Sequence, residues 1–190
     1  MTHSYSPQRQ SRQTISTDQL PPAGEPIPAG GPADTAPLPI GLVLHGVEGD
    51  SAEQVLGRIS ARLLEEGLVG EEFPAALWAR EQQYPTGLPT RIATAIPHTD
   101  AEHVLTACLA VATLAQPVAF GEMGGPDGDT VDAQLVVMPL VTEPSAVLPA
   151  LQQMIAVLTD ESVVTELLAA QDEDALRSLA ERHLRGPSPA

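Results

Sequence analysis

Arg80-Glu81-Gln82-Gln83-Tyr84-Pro85-Thr86-Gly87-Leu88-Pro89-Thr90-Arg91-Ile92-Ala93-Thr94-Ala95-Ile96-Pro97-His98-Thr99-Asp100 runs from a basic residue to a histidine preceded by a short apolar run and a proline. Residues 92–96 have the length and composition of a strand, and Pro97 cannot extend a ladder because it has no N–H. His98 therefore falls where a strand stops and the backbone turns. Pro85-Thr86-Gly87 is turn chemistry that ends whatever precedes it.

Working outward, residues 71–83 predict a helix with Pro74 in its first turn, where a missing N–H does no harm. Upstream, residues 40–44 read as a strand. Ser51 with Gln54 resembles a capping box, and Val55, Leu56, Ile59, Leu63 and Leu64 form one helical stripe that Gly67 stops. Downstream, residues 105–114 and 131–141 are strand candidates, with Cys108 packed inside the first as a core thiol. A Gly- and Asp-rich loop joins them at 121–129. Three helical stripes follow, around Leu148–Leu158, Val163–Leu168 and Leu176–Leu184. Strands interleaved with helices predict an α/β fold: a layered sandwich with a mixed β-sheet flanked by helices.

The compact region is expected over 40–185. Residues 1–39 hold eight prolines and almost no large apolar side chains, so they read as a disordered Pro-rich tail. That tail is a plain extension, a linker or a docking arm. Residues 186–190 read as a frayed C-terminus. The chain has no lysine, nine arginines and a formal net charge of −16. Such acidity argues against nucleic acid and against anionic lipid surfaces. No run is long enough to span a bilayer, and residues 1–13 lack the apolar core of a signal peptide. With a single cysteine, the expected setting is cytoplasmic.

His98 carries the chemistry. A neutral imidazole nitrogen is a nucleophile toward phosphorus, and its charged product is a good leaving group. The alternative is a structural histidine satisfied by its neighbours. Phosphoryl transfer needs positive charge beside the phosphoryl oxygens, and Arg80 is placed to supply a planar pair of donors. It could equally pair with one of the many carboxylates. Arg91 is a weaker candidate of the same kind, and the hydroxyls of Thr86 and Thr99 either bond a phosphate or their own turns. His45, His103 and His183 stand outside any metal-ligand spacing and read as structural or solvated. No nucleotide-binding glycine motif or nucleophile elbow is present, so no cofactor and no metal are expected.

Arg80-Glu81, Tyr84-Pro85-Thr86-Gly87-Leu88 and Ala95-Ile96-Pro97-His98 together resemble the active-site region of type-2 IIA domains of the sugar phosphotransferase system (PTS), the fructose–mannitol branch. The Pro-Thr-Gly-Leu version, with Pro117-Val118-Ala119-Phe120-Gly121-Glu122-Met123-Gly124, is most similar to the galactitol-type members. The resemblance covers about 40–184. It implies a phosphotransferase component whose histidine accepts a phosphoryl group from HPr. A cysteine of a IIB component then receives it, on the way to sugar entering through a membrane IIC component. Carried onto this sequence, His98 is the acceptor and Arg80 stabilises the phosphate, while Glu81 is structural. A regulatory module of the same fold, binding a partner according to its phosphorylation state, is the alternative. Mannitol-type members carry a second histidine where this chain has Val147, which favours the galactitol-like group. Leu88, Ile96 and Met123 are expected to form an apolar rim around His98.

Overall fold

In the computed structural model, residues 37–184 are described, so the readings of residues 1–36 and 186–190 lie outside the described residues. The elements follow the order β1 (Ile40–Val47), α1 (Ala52–Glu65), α2 (Phe73–Gln83), β2 (Gly87–Leu88) and β3 (Thr94–Ala95). Then come β4 (Cys108–Gly121), β5 (Thr130–Leu140), α3 (Pro144–Leu158), α4 (Glu161–Leu168) and α5 (Glu173–His183). The five strands form one mixed sheet in the order β1-β4-β5-β3-β2. β1 runs parallel to β4, β4 antiparallel to β5, β5 parallel to β3, and β3 antiparallel to β2.

Period-two alternation along the central strands builds two cores. Ala110, Ala112, Val136 and Met138 pack with Leu56, Ile59 and Leu63 of α1 and Phe73 and Leu77 of α2. Their neighbours Leu109, Val111, Leu135 and Val137 pack instead with buried residues of α3, α4 and α5. The sheet is thus covered on both faces, and its central strands read as nearly continuous apolar runs.

Local chemistry sets the element ends. Ser51 caps α1 by accepting the Gln54 N–H at 3.3 Å, and Gly67 follows that helix at φ +67°, a conformation that favours glycine. Pro74 lies in the first turn of α2, as expected. Phe73, Leu77 and Glu81 are its buried residues, spaced four apart on one stripe.

Several element boundaries differ from the sequence reading. Residues 92–96 yield only the two-residue β3. The Ile92 carbonyl is occupied by the Thr90 hydroxyl at 2.8 Å, which holds that end in a turn, and Pro97 has no donor at the other. Residues 105–107 leave the sheet because the Leu105 and Thr106 N–H groups both donate to the Leu68 carbonyl, at 2.9 and 3.1 Å. β4 instead continues to Gly121, with Pro117 accommodated at a break in register between Thr113 and Val118. β2 was not foreseen, and α3 starts at Pro144, one turn before its apolar stripe. Among the described residues, no helix is long and apolar enough to cross a membrane.

Gly87 is the tightest point near the turn that ends α2. A Cβ there would lie 2.7 Å from the Gly121 carbonyl oxygen and 2.5 Å from Val131 Cγ2. We expect Gly87→Ala to lose about 1–3 kcal/mol of stability by overpacking, read as a lower urea midpoint with an unchanged slope. An unchanged midpoint would mean that the hairpin yields without cost.

Candidate active site

The end of β3 and the end of α2 meet at His98. Pro97 turns the chain out of the sheet, and His98 beyond it is only 7 % exposed. The Ile96 carbonyl lies 3.1 Å from Nδ1. Nε2 faces Arg80 Nη2, also at 3.1 Å. A carbonyl can only accept and a guanidinium can only donate. The proton therefore sits on Nδ1, and Nε2 presents its lone pair.

Arg80 occupies the last turn of α2. Its Nη1 lies 3.6 Å from Asp100 Oδ1, and the guanidinium carbon stands 5.6 Å from the centre of the Tyr84 ring. Tyr84 is four residues on, hence on the same helical face. Buried Nε of Arg80 has no hydrogen-bond partner among the described residues.

Glu81, 5 % exposed, points the other way. Its two oxygens accept from Thr86, the backbone N–H at 3.1 Å and the hydroxyl at 2.7 Å. Burial pushes its carboxyl above the usual range, and the two bonds from Thr86 pull against that shift. Facing Arg80 and His98 across an open cleft of about 840 Å³ is the β4–β5 hairpin, from Gly121 to Thr130. Glu122, Asp127 and Asp129 line that wall, and among the described residues Arg80 is the one arginine or lysine on the lining.

The sequence of residues 37–182 matches the family "Phosphoenolpyruvate-dependent sugar phosphotransferase system, EIIA 2". The chain belongs to that family. It is 29% identical to the PTS system galactitol-specific EIIA component of Escherichia coli K12 over 128 residues, 67% of this chain and 84% of that protein. A complex of enzyme IIA and phosphorylated enzyme IIB of the mannitol system from Escherichia coli shares the fold at TM-score 0.59 and 22% identity, covering 74% of this chain and 94% of that one. Nitrogen regulatory protein IIA-Ntr from Neisseria meningitidis shares it at TM-score 0.56 and 23% identity, covering 73% and 91%. As an EIIA-family member, the chain is a phosphotransferase-system component in the general sense.

The other residues singled out from this EIIA sequence are distributed unevenly. Thr86 lines the cleft, but its hydroxyl proton is given to Glu81. Thr99 is buried and lies off the cleft lining. Arg91, with an 82 % exposed side chain, also lies off that lining and pairs with Glu161 at 3.3 Å. The expected apolar rim is corrected: Leu88 and Ile96 are packed in the core under α3–α5, and only Met123 reaches the cleft. Val147 lies beside Asp100 in a separate small depression. His45 bonds the Ala170 carbonyl, and His183 bonds Glu166. Buried Cys108 has its thiol pushed up to about 11, which leaves it unreactive. Glu81's link to Thr86 was not anticipated, although its four-residue spacing from Leu77 carried the signal.

His98 is held below the ordinary histidine value of 6.5, first by burial and then by the nearby Arg80 charge. The Ile96 carbonyl and Asp100 pull the other way. A lowered folded value means that His98 contributes its full stability above about pH 6.5. That contribution is lost as pH falls through the folded value. Nitrogen-15 NMR should show a ring more than half neutral and Nδ1-protonated at pH 6.5, and Arg80→Ala should move its titration upward. A ring half-protonated at pH 6.5 in the wild type would contradict this electrostatic picture.

Proposed function

We propose that this chain is the IIA phosphocarrier of a sugar phosphotransferase system. In this reading Nε2 of His98 takes the phosphoryl group from phospho-HPr, and the group then passes to a cysteine of a IIB component. The observation that carries the reading is the bonding of the imidazole: Nδ1–H is tied to Ile96, and the Nε2 lone pair faces a guanidinium.

The step follows from that geometry. The Nε2 lone pair forms a bond to phosphorus as the bond from phosphorus to the donor's nitrogen breaks, and the donor ring keeps that electron pair. The accepting ring gains positive charge, which the Nδ1–H bond to Ile96 stabilises. Arg80 exchanges its bond to Nε2 for bonds to the phosphoryl oxygens. No external base is needed, because the attacking nitrogen is already unprotonated. In the onward step a thiolate attacks phosphorus, and the charged ring leaves as neutral imidazole.

Similarity to the galactitol-specific EIIA component supports a galactitol-type sugar, and the mannitol IIA–IIB complex supports a IIB partner. Entry of the sugar would then lie with a membrane IIC component. Thr86, Thr99 and Arg91 are displaced from the first rank of phosphate contacts, which leaves Arg80 as the main one. A second reading has one specific support, the shared fold with nitrogen regulatory IIA-Ntr. There the same phosphohistidine would govern binding to a partner protein, with no onward transfer.

Incubation with phosphoenolpyruvate, Enzyme I and HPr should put acid-labile phosphate on the wild type and none on His98→Ala. Label persisting on His98→Ala would remove His98 from the role. Arg80→Ala should fold normally and accept phosphate roughly a hundredfold more slowly, the loss expected when one charge-stabilising donor is removed. As pH falls, the wild-type rate should reach half its maximum only below pH 6.5. Release of the label to a IIB cysteine separates the transport reading from the regulatory one.

A further inference from the structure

Two consecutive residues at the end of α2 address the two nitrogens of His98. Arg80 reaches Nε2 directly. Glu81 reaches the other side through a chain of hydrogen bonds. Its carboxylate takes both donors of Thr86, and the Thr86 carbonyl accepts the Ile96 N–H at 3.1 Å. The Ile96 carbonyl in turn accepts from His98 Nδ1 at 3.1 Å. Next along the turn, the Gly87 carbonyl accepts the Met123 N–H at 2.8 Å, which anchors the opposite wall of the cleft.

We propose that Glu81 is a positioning residue of the phosphoryl site: it fixes Thr86, Thr86 fixes Ile96, and Ile96 fixes the tautomer and tilt of the His98 ring. The inference rests on the phosphocarrier reading for its effect on rate. A purely structural residue would serve better as an apolar side chain here, because Glu81 continues the buried stripe of Phe73 and Leu77. A carboxylate in that place is costly to bury. Both of its oxygens are used on one neighbour, and that neighbour holds the two segments that frame the nucleophile. Thr86 is thereby a spacer of fixed length between α2 and the end of β3.

The test compares Glu81→Ala, Glu81→Gln and Thr86→Val by nitrogen-15 NMR of His98 and by steady-state phosphate acceptance from phospho-HPr. Glu81→Ala leaves two buried donors on Thr86 unpaired. We expect a mixed tautomer at His98, a KM within about twofold of wild type and a kcat lower by roughly tenfold to a hundredfold, the cost of a slightly misplaced reactant. The glutamine oxygen can accept the Thr86 N–H while its amide donates to the hydroxyl. Glu81→Gln should therefore restore the tautomer and bring kcat to within about threefold. A folded Glu81→Ala protein with wild-type tautomer and kcat would overturn the proposal, as would Glu81→Gln failing as badly as alanine. If Glu81→Ala does not fold, Thr86→Val deletes only the hydroxyl bond and should move tautomer and kcat in the same direction by less. No movement there would overturn it equally. The tautomer is read on unphosphorylated protein, so it decides the role of Glu81 even if the wild type accepts no phosphate and the phosphocarrier reading fails.

Discussion

The imidazole of His98 is held between two partners of fixed and opposite character, and the rest of the site follows from that. The Ile96 carbonyl cannot donate, and the Arg80 guanidinium cannot accept. Only one tautomer satisfies both. Protonating Nε2 would set an N–H against an N–H beside a fixed positive charge. Burial and the Arg80 charge lower the proton affinity of the ring, and the same guanidinium keeps Nε2 as the unprotonated nitrogen. This arrangement requires the strand end to deliver a carbonyl and the helix end to deliver a cation, within a few ångströms of each other.

Meeting that requirement loads the end of α2 with polar groups that a core disfavours. Glu81 is buried with its carboxyl pushed upward, and Arg80 Nε is buried without a partner among the described residues. Neither arrangement favours folding by itself. The compensation lies in the two apolar layers that cover the sheet, each continuous from its helices into the central strands. A rigid scaffold of this kind lets a buried polar cluster persist at its edge. Gly87 and Gly121 allow the turn and the hairpin to close on each other, with Pro85 lying against Gly121.

Strong local signals made much of this legible in the sequence. The α1 stripe with Ser51 before it and Gly67 after it, the Pro74 start of α2, and the placement of His98 after Ile96-Pro97 each have a near-neighbour cause. What could not be read depended on partners distant in sequence. β2 exists only because Gly87 and Leu88 pair with Ala95 and Thr94, and residues 105–106 leave the sheet only because Leu68 claims their N–H groups. Leu88 and Ile96 looked like rim residues because they flank the motif. Tertiary packing instead turns them into the layer under α3–α5. Glu81 is the intermediate case: its spacing from Phe73 and Leu77 announced burial, but its partner Thr86 could be identified only once the turn was in place.

If His98 is the phosphoryl acceptor, Arg80, the one arginine lining the cleft among the described residues, bears on release as well as on capture. In the free site Arg80 shares its charge among His98, an exposed Asp100 at 3.6 Å and the face of Tyr84. None of these holds it strongly: the aspartate contact is long and water-screened, and the imidazole is neutral. If Nε2 accepts a phosphoryl group, the guanidinium can turn to its oxygens at small cost, while Asp100 remains close enough to repel the added negative charge. Val147, lying next to Asp100, offers no further donor. In the proposed phosphocarrier, a phosphoryl group on Nε2 would be held by Arg80 and opposed by Asp100, favoured by one neighbour and disfavoured by the other. That balance suits a carrier, which must release what it accepts.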